Sequence, residues 1–157
     1  MITIVTTRFN DDTWQENLNY REKNKIKCLY CSPLEMSPHI CLNIGVFVVE
    51  MNNSKNKIEG IGFIKNKPQS DRYYGVYRDG NYNRYVYKGK YYLSRDELMK
   101  LNDHLVSVFD YILFKEKTHL KRGSGFTRIP EKLFKHPICE NINIKMVLRE
   151  MFINYYS

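Results

Sequence analysis

Between Arg72 and Arg95 the chain reads RYYGVYRDGNYNRYVYKGKYYLSR, eight tyrosines interleaved with six arginines and lysines. Flat π faces stack on unpaired bases while cations between them meet phosphates, so this pattern suits a single-stranded nucleic acid. The same composition suits a half-exposed antiparallel sheet, because tyrosine favours strands that are wet on one side. Read as a strand, residues 82–87 put Tyr82, Arg84 and Val86 on one face and Asn83, Tyr85 and Tyr87 on the other. Tyr82, Tyr85 and Tyr87 are the candidate stacking rings. Arg84, Lys88 and Lys90 are the expected phosphate contacts, grouped about one hairpin tip. Roughly half of the tyrosines are structural on either reading.

A second basic stretch, residues 115–135, contains THLKRGSGFTR. Gly123 and Gly125 permit unusual backbone angles, so successive amides there suit an anion nest. Lys117, Lys121, Arg122 and Arg128 supply charge around it, and the competing reading is a solvated connector. The stretch lacks the Gly-Lys-Ser/Thr ending of a phosphate-binding loop, which argues against nucleotide hydrolysis. Of the four histidines only His119 lies in a basic block. Beside a 2′-hydroxyl it could act as a general base for RNA cleavage; the plainer alternative is that it binds phosphate. No cluster of carboxylates suitable for Mg²⁺ accompanies either block.

Charge is segregated. Residues 65–95 carry +6 and residues 115–135 carry +5, against +8 for the whole chain, which leaves −3 for the remainder. An excess confined to two blocks gives a directed field, so RNA or another single-stranded nucleic acid is the expected partner. A small nuclease using His119, and a module that docks an acidic protein, are the alternatives.

Cys28, Cys31, His39 and Cys41 offer ligand types that suit zinc. Residues 28 and 31 of one strand point to opposite faces, however, and the reading preferred here is free buried thiols with no metal and no cofactor. No apolar run approaches the ~18 residues of a membrane span, and MITIVTTRFNDD has no signal-peptide character. A cytoplasmic protein with reduced cysteines and no membrane partner is expected, in which the sequon Asn52-Asn53-Ser54 has no role. Fifteen asparagines, 16 lysines, 14 isoleucines and no alanine point to an A/T-rich genome, such as that of a large cytoplasmic DNA virus. Nothing in the sequence specifies an oligomeric state.

The elements that position these residues follow from periodicity. Ile2 to Arg8 reads as a strand, followed by a helix capped by Asp11 and Asp12 that carries Trp14, Leu18 and Arg21. Ile26 to Cys31 is a second strand. Gly45 to Met51 is a central strand that turns at Asn52 to Asn56 and returns antiparallel through Lys57 to Ile64, whose two glycines mark a bulge or a close backbone approach. The tyrosine block predicts a meander with strands near 72–78, 82–87 and 90–93. Ser94 and Glu97 form a capping box for a long helix carrying Leu98, Leu101, Leu105, Val108, Phe109 and Ile112. A last helix carries Ile144, Val147, Leu148, Met151 and Phe152. The sum is one domain, residues 1–157: an α+β, mainly antiparallel half-barrel with a helix after the first strand and closing C-terminal helices.

This order, with Thr13-Trp14, then Leu29-Tyr30-Cys31-Ser32-Pro33, Val46 to Met51 and Ile58-Glu59-Gly60-Ile61-Gly62-Phe63-Ile64, resembles the PUA-like group that includes the EVE, YTH and ASCH domains. The resemblance covers about residues 1–95. The blocks Asn83-Arg84-Tyr85 to Lys88-Gly89-Lys90 and His119-Leu120-Lys121-Arg122-Gly123 are similar to uncharacterised proteins of giant DNA viruses. The PUA-like resemblance implies RNA binding with one modified or terminal nucleotide in an aromatic pocket lined by Trp14, Ser32, Met51 and Asn52. YTH readers use several aromatics, mostly tryptophans, and this chain has one Trp.

Overall fold

The computed structural model describes residues 2–115 and 118–157. Strand β1 (Thr3–Phe9) leads through helix α1 (Asp11–Asn24) to β2 (Cys28–Ser32). Strands β3 (Gly45–Asn52) and β4 (Lys57–Lys65) form a hairpin, and β5 (Tyr85–Gly89) and β6 (Tyr91–Ser94) follow the tyrosine-rich loop. Helix α2 (Arg95–Phe114), the short β7 (Thr127–Arg128), the one-turn α3 (Glu131–Phe134) and α4 (Ile144–Tyr156) complete the α+β chain.

Five strands form one sheet in the order β6-β4-β3-β1-β7, and β2 pairs with β5 separately. The sheet is mixed. β1 and β3 run parallel, whereas the other neighbours are antiparallel. The parallel pair arises because α1 and β2 supply the crossover that parallel strands need.

β3 is apolar apart from Glu50 and Asn52, and it is covered on both faces. Phe47, Val49 and Met51 pack with Leu98, Leu105 and Phe109 of α2 and with Phe152 of α4. Val46 and Val48 pack with Cys28, Tyr30 and Tyr87 of the two-stranded sheet. Each such side chain contributes ~1.5–3 kcal/mol through removal from water.

Asn10, rather than Asp11 or Asp12, caps α1. Its Oδ1 accepts from Thr13 N at 2.8 Å, and Thr13 Oγ1 accepts from Asn10 N at 3.0 Å. The two aspartates occupy the first turn, where they complement the helix dipole. The Ser94–Glu97 box opens α2 as expected. Leu101 departs from its expected stripe and is 49% exposed. The cause is Asn102, whose φ of −163° and ψ of 88° interrupt the helix, while its Oδ1 accepts from Leu105 N and restarts it.

The expected three-stranded tyrosine meander is absent. Residues 72–78 form a loop, and Gly80–Asn83 form a 3-10 turn. Buried Asn83 explains the difference: its Oδ1 accepts from Tyr77 N, and its Nδ2 donates to Tyr77 O and to the Tyr73 hydroxyl. One side-chain amide thus satisfies backbone groups that a strand partner would otherwise take. Lys88 and Gly89 close no hairpin, because β5 pairs with β2 while β6 pairs with β4. Among the described residues no helix is long and apolar enough to cross a membrane.

Candidate nucleic-acid interface

A cavity of about 310 Å³ opens at the C-terminal end of β1. Thr7, Arg8 and Phe9 line it from β1, Thr13 and Glu16 from α1, and Cys31 from β2. Tyr77, Asp79 and Tyr82 come from the tyrosine-rich loop, Asn53 from the β3–β4 turn, and Lys121 with residues 123–125 from the glycine-bearing loop. Residues of the two segments, far apart in the chain, therefore meet at one concavity, the first contributing two tyrosines and Asp79 and the second Lys121.

Arg8 holds that concavity together. Its guanidinium donates to Leu120 O at 3.0 Å, Gly125 O at 2.7 Å and Thr127 Oγ1 at 3.0 Å. Gly125 has φ of +69°, and a Cβ there would lie 2.6 Å from Ser32 Oγ, so only glycine fits. Asn53 Nδ2 donates to Lys121 O at 2.9 Å, and Lys121 Nζ donates to Asn56 Oδ1 at 2.6 Å. The β3–β4 turn and the basic loop are thereby tied to each other.

The electrostatics of Arg8 are unusual. Every acceptor it meets is neutral, and among the described residues no carboxylate pairs with it. Its Nε is buried without a partner, as is Asn53 Oδ1. Burial lowers the Arg8 pKa, but a guanidinium stays protonated. Its guanidinium therefore has no ion-pair partner among the described residues, although with Lys121 it shares the cavity lining with the Glu16 and Asp79 carboxylates. The lining carboxylates turn to backbone: Glu16 accepts from Arg78 N at 2.8 Å and Asp79 from Asn81 N at 3.0 Å. Cys31 is inert here, since burial pushes its thiol up to about 12.

The candidate residues fall into distinct groups. Tyr82, 44% exposed, and Lys121 line the cavity. Arg122 and Arg128 are exposed on the same loop and on β7. The Arg122 amide donates to His119 O, so it is not available to an anion nest. His119 is exposed, has φ of 59°, and is not among the residues lining the cavity. Lys117 lies outside the described residues. Arg84, Lys88 and Lys90 do not share a hairpin tip: Arg84 precedes β5, and Lys88 and Lys90 sit at its far end. The exposed Arg84 guanidinium lies 5.6 Å from the centre of the half-buried Tyr85 ring, and Lys88 Nζ donates to the Tyr74 hydroxyl. Tyr87 is not a stacking ring. It is 1% exposed, accepts from Met36 N at 2.9 Å and packs edge-on against Phe126.

Trp14, Ser32, Met51 and Asn52 do not form the pocket that the resemblance implies. Met51 is fully buried in the core beneath α2. Asn52 is consumed by its turn, donating to Asp11 and Glu59 and accepting from Ser54 N and Lys55 N. Buried Ser32 accepts from Leu34 N, and Trp14 packs edge-on against Phe9 with the Arg21 guanidinium over its ring. The cavity is lined instead by the immediate neighbours of three of them, Thr13, Cys31 and Asn53. Of these only Cys31 lies on a strand, where one residue of offset turns a side chain to the opposite face; Thr13 is on α1 and Asn53 in the β3–β4 turn. Arg8 and Phe9 line the cavity as well and are not among the residues that the sequence singles out; Arg8 is half-buried between buried Thr7 and Phe9.

A buried polar cluster fixes α1 and the two-stranded sheet beside the cavity. Glu50 of β3, 0% exposed, accepts from Arg21 at 2.6 Å, Tyr30 at 2.8 Å and Tyr92 at 2.7 Å. Gly60 and Gly62 make this possible: a Cβ would lie 2.2 Å from the Tyr92 hydroxyl and 2.3 Å from that of Tyr30, respectively. Burial alone would lower the Arg21 pKa, yet the Glu50 charge raises it well above the usual value. Burial and the same carboxylate push both phenols up. Among the described residues no group of three or more His, Cys, Asp or Glu is placed to hold a metal ion.

No family model, curated protein or solved structure matches the chain.

Proposed function

We propose that the protein binds single-stranded nucleic acid, RNA foremost, and that one modified or terminal nucleotide enters the cavity beside Arg8. The observation that supports this reading is the Arg8 guanidinium, without an ion-pair partner among the described residues, at a concavity lined by aromatic residues of the first segment and by Lys121 of the second. Half-buried Tyr77 and exposed Tyr82 offer aromatic surface for a base, and exposed Lys121 and Arg122 offer charge to the flanking phosphates. A volume of about 310 Å³ sits at the lower end of the ~300–1,000 Å³ of small-molecule pockets, which suits one nucleotide and no more. We read the order β1, α1 with Trp14, β2 and the β3–β4 hairpin as PUA-like, with the cavity one residue away from the positions that the family resemblance implies.

The test is titration of matched single-stranded RNA, duplex RNA and single-stranded DNA over a salt series, with each strand checked for cleavage. Intact single-stranded RNA should bind tightest, with log affinity falling linearly in log salt as counterions are released. Failure to bind all three overturns the reading and turns the search to an acidic protein partner. Cleavage that disappears in His119→Ala replaces it with a nuclease.

A further inference from the structure

A second cavity, of about 520 Å³, lies at the opposite end of β1. Ile2 and Thr3 open it, Gly45 and Phe47 line it from the start of β3, and Phe63 and Tyr91 from β4 and β6. Helix α4 closes it with Arg149, Phe152, Ile153 and Tyr156. From Thr3 to Arg8 the strand rises roughly 17 Å, so the two cavities are separate sites.

The lining is aromatic with one cation. Phe47 stacks tilted on Phe63 at 4.8 Å and edge-on to Phe152 at 5.1 Å, and Tyr91 meets Tyr156 edge-on at 5.0 Å. The Tyr156 hydroxyl is anchored, donating to Tyr92 O and accepting from Tyr92 N, so that ring is a fixed wall. Among the described residues Arg149 is the one charged residue lining the cavity, and it makes no ion pair with any of them. Absence of a side chain at Gly45 keeps the space open: a Cβ there would lie 2.2 Å from Phe63 Cζ and would drive the ring into the cavity.

We propose that this cavity binds a small amphipathic carboxylate, its apolar body among Phe47, Phe63 and Phe152 and its head group against Arg149. The chemistry follows from the lining: apolar walls with a single placed charge select a ligand of one charge and one apolar end. This site is independent of nucleic-acid binding.

Calorimetric titration with decanoate, 2-naphthoate and uncharged decanol tests it. At least one carboxylate should bind more tightly than decanol, decanoate marking an aliphatic body and naphthoate an aromatic one. Because Arg149 is exposed, Arg149→Gln should weaken the carboxylate by about fivefold and leave decanol unchanged. Gly45→Ala should weaken all three ligands, with Ile153→Trp as a second filling variant should Gly45→Ala not fold. Carboxylates that bind no better than decanol, or that are indifferent to either Arg149→Gln or the filling variants, overturn the assignment.

Discussion

The Arg8 guanidinium donates to Gly125 O at 2.7 Å, and this bond joins the end of β1 to a loop 117 residues further along the chain. Arg8 is thus both a clamp and a charge: it ties the glycine-bearing loop to β1 and sets a guanidinium without an ion-pair partner among the described residues into the cavity lining.

Arg8→Gln separates these roles from the fold. Losing three charged hydrogen bonds to loop and strand acceptors should cost about 2–3 kcal/mol in urea denaturation, and amides of residues 120–127 should exchange faster. RNA affinity should fall with it. Unchanged affinity in the folded variant places the nucleic acid elsewhere.

Tyr82 and Tyr87 should respond in opposite ways. Tyr82→Ala, at a ring 44% exposed, should cost about 1–3 kcal/mol of RNA binding with little loss of stability. Tyr87→Ala empties a core position and should cost about 3–5 kcal/mol of stability. Equal RNA affinity for Tyr82→Ala and wild type rules out stacking on that ring.

Salt slopes sort the cations. Lys121→Ala should lower the slope of log affinity against log salt by about 1, as should Arg122→Ala if both meet phosphate. Arg84→Ala tests whether the strand extends along β5. A slope that survives all three substitutions moves the interface off this face.

Glu50→Gln strands Arg21 as an unpaired buried charge and should cost about 3–5 kcal/mol. Arg21→Met in the same background should recover part of that loss, and the double-mutant cycle reads the coupling between them. Additive losses would remove the ion pair as the link between α1 and β3.

Thiol reactivity follows burial. Burial raises Cys28 and Cys31 from 9.0 to about 12, while Cys41 is exposed. A disulfide reagent at pH 8 should label Cys41 quickly and the other cysteines only on unfolding. The folded state retains these protons where the unfolded chain releases them, so this stability is complete below pH 9 and is lost as pH rises from 9 to about 12. A denaturation midpoint that rises over that window contradicts the sign.

What was legible in the sequence was local. The Ser94–Glu97 box, the doubly apolar β3, the close approach at Gly60 and Gly62, and the confinement of charge to two stretches each depend on neighbouring residues and survive into the structure. What only the tertiary structure decided was long-range or a matter of parity. β5 joins β2 rather than β6 because buried Asn83 turns the preceding chain and because strand pairing is chosen by packing. Cys31 rather than Ser32 lines the cavity because successive strand side chains face opposite ways, so a short degenerate motif locates a strand without resolving its faces. Arg8 acquired its partners from residues 120, 125 and 127, and no local pattern around it encodes a contact so distant in the chain.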